Sequence, residues 1–237
     1  MSATPNPKTV DNLYYEVAKP KSTAERVMVA ARDAMYKTFV KLHGVSPEDS
    51  IIDIGVSDVI TGGDNMIERK HPYPSTITAA GLGEGESFCQ AFPDARYVQV
   101  ESGAALPFPD RHFKTAVSNA VLEHVGSHDE QQRFVEEMVR VSDQAFLTVP
   151  NRYFFVEHHT LLPFVHWTNW SFRSACRIFG KTKWSEEATL ILISKMRLTE
   201  IARGLTSPVD WTVGYTGIAA GPCSSNLFLS IRRRSMS

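Results

Sequence analysis

The chain has 237 residues, a formal net charge of −1 and 43% hydrophobic residues. That size and apolar content fit one α/β domain with an elaboration, and the near-neutral charge without a dominant basic block speaks against a nucleic-acid partner. No apolar run reaches the length of a membrane span.

The start, Met1-Ser-Ala-Thr-Pro-Asn-Pro7, lacks the basic-then-apolar order of a signal peptide, and residues 1–22 read as an irregular arm whose apolar feature is Tyr14-Tyr15. From Thr23 to His43, apolar residues recur at helical spacing (Val27, Ala31, Met35, Phe39) and Gly44 offers a C-cap. This segment predicts a packing helix or, alternatively, a lid whose tyrosines cover a ligand. Ser50–Ile54 is a short β-branched run ending in Asp53-Ile-Gly55, the pattern of a buried parallel strand that stops at a tight turn. A loop with Gly62-Gly63 follows, then a short helix over Asn65–Lys70 capped by Asp64.

Further strands are predicted at Ser75–Ala80, Arg96–Glu101, Lys114–Ser118 and Ala145–Val149. Helices are predicted at Glu84–Ala91 and Gln131–Val141. This alternation argues for a parallel sheet covered on both faces. After Pro150 it breaks, and residues 151–195 carry His158-His159, His166-Trp167 and Trp170. Helical patches at Phe172–Phe179 and Leu198–Ala202 precede two closing strands, Asp210–Thr216 and Asn226–Arg232, which flank a Gly221-Pro222 turn. Arg232-Arg233-Arg234 reads as a solvated tail. Cys89, Cys176 and Cys223 have no metal or redox spacing and predict reduced thiols in a cytoplasmic protein.

Three stretches carry a family resemblance. They are Asp53-x-Gly55, the run Leu106-Pro-Phe-Pro-Asp110 with Phe113, and Leu122-Glu-His-Val125. Together they resemble the signature of class I S-adenosylmethionine (SAM)-dependent methyltransferases, in the small-molecule (type 11) branch. The resemblance implies a three-layer αβα Rossmann-like fold with about seven strands, mostly parallel, and an antiparallel C-terminal strand. It implies an N-terminal arm and helix over 1–44 and a methyltransferase domain over 45–237 with a cap insert near 151–195.

The same resemblance implies SAM as cofactor and a small-molecule acceptor methylated on oxygen or nitrogen. Cofactor contacts then fall on Asp53, Gly55, Val56 and Ser57 after the first strand, and on Gly81 after the second. They continue on Glu101, Ser102 and Gly103 after the third, and on Ser118 and Asn119 at the fourth. Ser57, Gly81 and Ser102 depart from the family pattern, since Ser57 stands at a glycine position and Gly81 and Ser102 at acidic ones. They keep open the alternative of a methyltransferase fold with altered or lost SAM binding, acting as a non-catalytic module.

Methyl transfer from a sulfonium rests mainly on positioning and desolvation, and needs a base only where the acceptor loses a proton as it attacks. His124, His158 and His159 are the candidates, since imidazole titrates near neutrality. A metal set would need a third ligand; no residue beyond His166 stands out, and none is expected.

Overall fold

The computed structural model describes residues 23–60, 62–186 and 189–234. Tyr14 and Tyr15 lie outside the described residues. Seven strands form one sheet: β1 (Ile51–Ile54), β2 (Ile77–Gly81), β3 (Arg96–Gln99), β4 (Phe113–Asn119), β5 (Ser142–Pro150), β6 (Val209–Thr216) and β7 (Asn226–Arg233). Their order is β3-β2-β1-β4-β5-β7-β6, and β7 alone runs antiparallel to its neighbours. The strand order therefore reverses between β1 and β4, the position at which open α/β sheets bind ligands at their carboxyl ends.

Among the described residues, six α-helices accompany the sheet: α1 (Thr23–His43), α2 (Met66–Lys70), α3 (Glu86–Ala91), α4 (His128–Val141), α5 (Asn169–Ile178) and α6 (Lys195–Arg203). Strand alternation decides the layers. Ile52 and Ile54 enter one apolar cluster with Val135 and Met138 of α4 and Leu198 and Ile201 of α6. Ile51 points the other way, into a cluster with Met35 and Phe39 of α1, Ile67 of α2 and Phe88 of α3. Both faces of β1 are thus buried, as its unbroken apolar run requires. The predicted three-layer architecture and the single reversed strand near the C-terminus are both present.

Several boundaries differ from the sequence expectation for identifiable reasons. α4 begins three residues before Gln131, because Ser127 and Glu130 form a capping box ahead of it. Asp64 does not cap α2. Asn65 holds that position with φ 45°, while the Asp64 carboxylate accepts from Arg69 Nη2 at 2.8 Å. The terminal arginines are not a solvated tail: Arg233 ends β7 and donates to the carbonyls of Ser142 (3.2 Å) and Val139 (2.6 Å).

The run Leu106–Asp110 is held from α4. Arg140 donates to the carbonyls of Phe108 (2.9 Å) and Leu106 (3.1 Å) and to Asp110 (2.8 Å), and Glu137 accepts from the Leu106 N–H at 2.6 Å. Phe108 then meets Phe113 edge-on at 4.9 Å, over the core. Residues 151–194 bring a small core of their own, in which Phe172 and Cys176 of α5 bury against Trp184 and Leu190.

Candidate functional site

A cavity of about 370 Å³ opens at the carboxyl ends of β1 and β4, within the size range of small-molecule sites. Its walls come from the loops after those strands, from α1, from the segment after β5 and from the end of the β6–β7 connection.

The loop after β1 is shaped by backbone. Gly55 has φ 91°, and its N–H bonds to the Ala80 carbonyl at 2.8 Å. A Cβ at Gly55 would strike Val121, so glycine is required by both torsion and space. Asn65 closes the longer loop that follows, accepting from the Ser57 N–H and donating to the Ser57 carbonyl, both at 2.9 Å. Asparagine tolerates the left-handed torsion found there. At the end of β4, Ala120 also has positive φ (57°) and bonds through its N–H to the Thr148 carbonyl. The Thr148 hydroxyl donates to Asn119 Oδ1 at 2.7 Å, which fixes the amide of a residue lining the cavity.

The opposite wall is built from ionisable side chains. Glu157 organises a tight turn and accepts four hydrogen bonds. Two come from the His159 N–H (3.0 Å) and Nδ1 (2.7 Å), and two from the Thr160 N–H (2.6 Å) and hydroxyl (2.7 Å). Burial pushes the Glu157 carboxyl up, but the His159 charge and these bonds outweigh it and hold it at about 2. The His159 imidazole is raised in turn, the Glu157 charge overcoming desolvation. His124 presents the other pattern: burial, then the His159 charge, lower it to about 3, and its Nδ1 sits 2.7 Å from the Thr189 carbonyl. His158 is lowered to about 4, again chiefly by burial.

Glu123 and Arg32 complete the charged groups on the cavity. Neither oxygen of Glu123 has a hydrogen-bond partner among the described residues, and burial raises this carboxyl to about 7 against the pull of His159. Arg32 is only 8% exposed and lies within the fields of both Glu123 and Asp53. Asp53 faces Glu68 of α2. Burial raises both carboxyls, and at Glu68 the Asp53 charge adds to it.

Of the residues predicted from the sequence, Asp53, Gly55, Val56, Ser57, Asn119, His124, His158 and His159 all line this one cavity. Gly81, Glu101, Ser102, Gly103 and Ser118 do not. Ser118 is buried and donates to the Ile54 carbonyl at 2.9 Å, tying β4 to β1. Gly81 lies under Tyr97, whose hydroxyl would be 2.5 Å from a Cβ there and donates to the Gly83 carbonyl. Glu101, Ser102 and Gly103 form an exposed turn after β3. Glu84 and Glu86 are likewise exposed, away from the cavity.

His166 is buried off the cavity, in a crevice of about 10 Å³ that also touches Glu157 and His158. The grouping that forms near it was not anticipated from the spacing of the histidines. Ligand atoms of Glu123, His124 and His159 lie within 4.8 Å of one another, and the third member is Glu123 rather than His166.

The sequence reasoning missed Arg32, Glu123 and Glu157. Arg32 had a signal: it falls on the apolar face of α1, one residue after Ala31 and three before Met35. Glu123 stood inside the recognised Leu-Glu-His-Val run, next to the histidine that drew attention.

Residues 78–144 match the family described as a methyltransferase domain, type 11. A SAM-dependent methyltransferase from Thermotoga maritima, described as a possible histamine N-methyltransferase, is 14% identical. Its TM-score is 0.59, over 96% of this chain and 98% of that one. The fold is that of the class I SAM-dependent methyltransferases. Magnesium protoporphyrin IX methyltransferase from Synechocystis PCC 6803, solved with S-adenosylhomocysteine (SAH), is 12% identical with a TM-score of 0.57, over 95% of each chain. A Rhodobacter sphaeroides protein named for zinc-dependent alcohol dehydrogenases is also 12% identical, with a TM-score of 0.58 over 99% and 100%. Likeness at these identities fixes the methyltransferase fold and leaves the acceptor to the site. Comparison with curated protein sequences finds no match. Among the described residues, no helix is long and apolar enough to cross a membrane.

Proposed function

We propose that this protein transfers a methyl group from SAM to an oxygen or nitrogen of a small-molecule acceptor, in a reduced, cytoplasmic setting. The observation that carries the reading is the cavity at the β1/β4 reversal, walled on one side by strand-end backbone and on the other by His124, His158 and His159. The strand-end residues fit the amino-acid end of the cofactor. Gly55 presents bare backbone, Asn119 an amide NH₂, and Asp53 a buried carboxyl. When bound, SAM supplies an electrophilic methyl group on a sulfonium.

The chain's own residues position and exclude water. Val56, Ser57 and Asn65 hold the loop against the cavity, while Val27, Met28, Ala31 and Met35 of α1 close it from above. The adenosine half would extend over the ends of β2 and β3, past Gly81 toward Glu101, Ser102 and Gly103. On the acceptor side, burial holds His124 and His158 neutral, so each keeps a ring nitrogen able to accept a hydrogen bond from the acceptor. Residues 151–195 act as the cap over the acceptor, and the rest of 45–237 as the methyltransferase domain.

One observation favours a second reading. Tyr97 covers Gly81, where the family resemblance places an acidic residue for the ribose, so SAM binding could be weakened and the protein could serve as a non-catalytic module. Incubation with methyl-labelled SAM and pools of hydroxylated and amine-bearing small molecules separates the two. Labelled product with stoichiometric SAH supports the enzyme. SAM binding without turnover on any pool supports the module.

A further inference from the structure

We infer that Glu123, His124 and His159 form a binding site for a divalent transition-metal ion, of the zinc class, in the wall of the cavity. Their ligand atoms lie within 4.8 Å of one another, and all three residues line the cavity. Two imidazoles and one carboxylate are the donor set that first-row divalent ions take, with positions left for outside ligands.

Three features show that the set is prepared rather than incidental. The His124 Nδ1 sits 2.7 Å from the Thr189 carbonyl, which can only accept, so this nitrogen carries the proton and Nε2 becomes the metal-binding atom. His159 repeats the arrangement with a carboxylate. Its Nδ1 is 2.7 Å from Glu157 Oε1, and Glu157 is itself fixed by Thr160. Outer partners of this kind, a backbone carbonyl and a carboxylate on the far ring nitrogen, set tautomer and orientation in metal-binding histidines.

The third feature is Glu123. It is 2% exposed, and neither oxygen has a hydrogen-bond partner among the described residues. A carboxylate buried in that state is costly unless a cation compensates it. Its backbone is fixed from the same direction, since the Ile191 N–H donates to the Glu123 carbonyl at 2.8 Å. Arg32 balances part of this charge through space.

An ion about 2.1 Å from each donor wants the donors about 3.4 Å apart. The set closes on the metal by a small rotation of the Glu123 side chain, the member no hydrogen bond restrains. The remaining coordination positions then face the cavity and suit an oxygen of the acceptor, a hydroxyl or a carboxylate. This last role rests on the methyl-transfer reading. The ion site itself does not.

The test uses the full chain, stripped with chelator and titrated calorimetrically with Zn²⁺, and with Co²⁺ followed by its visible absorption. One equivalent per chain at micromolar or tighter affinity, with a rise in Tm, is expected. Glu123→Gln and His124→Gln should each weaken Zn²⁺ binding at least tenfold, and His112→Gln, on the exposed side of Phe108, should leave it unchanged. Circular dichroism confirms that each variant is folded, and either folded variant suffices for the decision.

No stoichiometric binding at 100 micromolar Zn²⁺ (an order-of-magnitude ceiling for a preformed site, about 5.5 kcal/mol) would overturn the site in favour of a proton-only Glu157–His159–Glu123 cluster. Unchanged affinity in both Glu123→Gln and His124→Gln would overturn it as well. SAM titration of the same samples keeps the two readings apart, because Zn²⁺ binding without SAM binding sustains the metal site and removes the methyl-transfer reading.

Discussion

The two walls of the cavity are made of different material. Gly55, Ser57, Asn65, Asn119 and Ala120 define one through backbone torsions and amide bonds. Glu123, His124, His158 and His159, with Glu157 hydrogen-bonded to His159, define the other through titratable side chains that are buried or half-buried. A backbone wall fixes the shape and place of a ligand that is always the same. A wall of buried ionisable groups sets proton and charge affinity, and can be retuned by single substitutions. Cofactor and acceptor call for these two properties in turn.

The largest effect should come from breaking the first wall. Gly55→Val forces a β-branched residue into positive φ and against Val121. SAM affinity should fall by about a hundredfold or more, roughly 2.7 kcal/mol or beyond, with the far-ultraviolet circular dichroism retained. Unchanged affinity in calorimetry would mean that the cofactor does not use this loop.

Breaking the second wall should leave SAM affinity nearly intact. His158→Ala alone, and His158→Ala with His159→Ala, should lower turnover on the order of a hundredfold. The double variant also removes the His159 imidazole that pairs with the buried Glu157, so it should lose about 3 kcal/mol of stability. If SAM affinity fell while turnover at saturating SAM stayed normal, these histidines would belong to the cofactor wall and the division would be wrong.

Arg140→Ala touches neither wall. It removes the donors that hold the Leu106 and Phe108 carbonyls, and should cost about 2 kcal/mol in denaturant unfolding. A large loss of SAM affinity without loss of stability would move the Leu106–Asp110 run from scaffold to ligand site.

The smallest effect concerns Asp53 and Glu68 under the first wall, facing Arg32 of α1 and Asp64 of the loop. Both carboxyls are raised in the folded state, so the native protein binds more protons than the unfolded chain across the acid-to-neutral range. Stability from this pair is present below the unfolded carboxyl values and is lost as pH rises toward and through the folded ones. Glu68→Gln should flatten that decline between about pH 5 and 8. An unchanged slope in unfolding experiments would show that the Glu68 carboxyl is not raised in the folded protein.

How much of this was legible follows the same division. β1 announced itself because its residues are apolar on both faces, and Asp53-x-Gly55 marked the turn through glycine's unique torsional freedom. α1 was read to the residue, with Gly44 at its end. The charged wall was legible only in fragments. His124, His158 and His159 stand out by type, but Glu157 gains its meaning from burial, and Glu123 from burial and from His159 and Arg32, both more than 30 residues away. No local period encodes such partners. The same holds for Gly81: only the register of β2 against β3, with Tyr97 beside Ala79, explains why a glycine stands there.

The most direct test of the account is calorimetric titration of the full chain with SAM and with SAH, repeated on Gly55→Val. The account predicts one site per chain for both ligands in the natural protein, and its loss in the variant. Absence of heat for either ligand at millimolar concentration, roughly 4 kcal/mol of affinity or less, would contradict it.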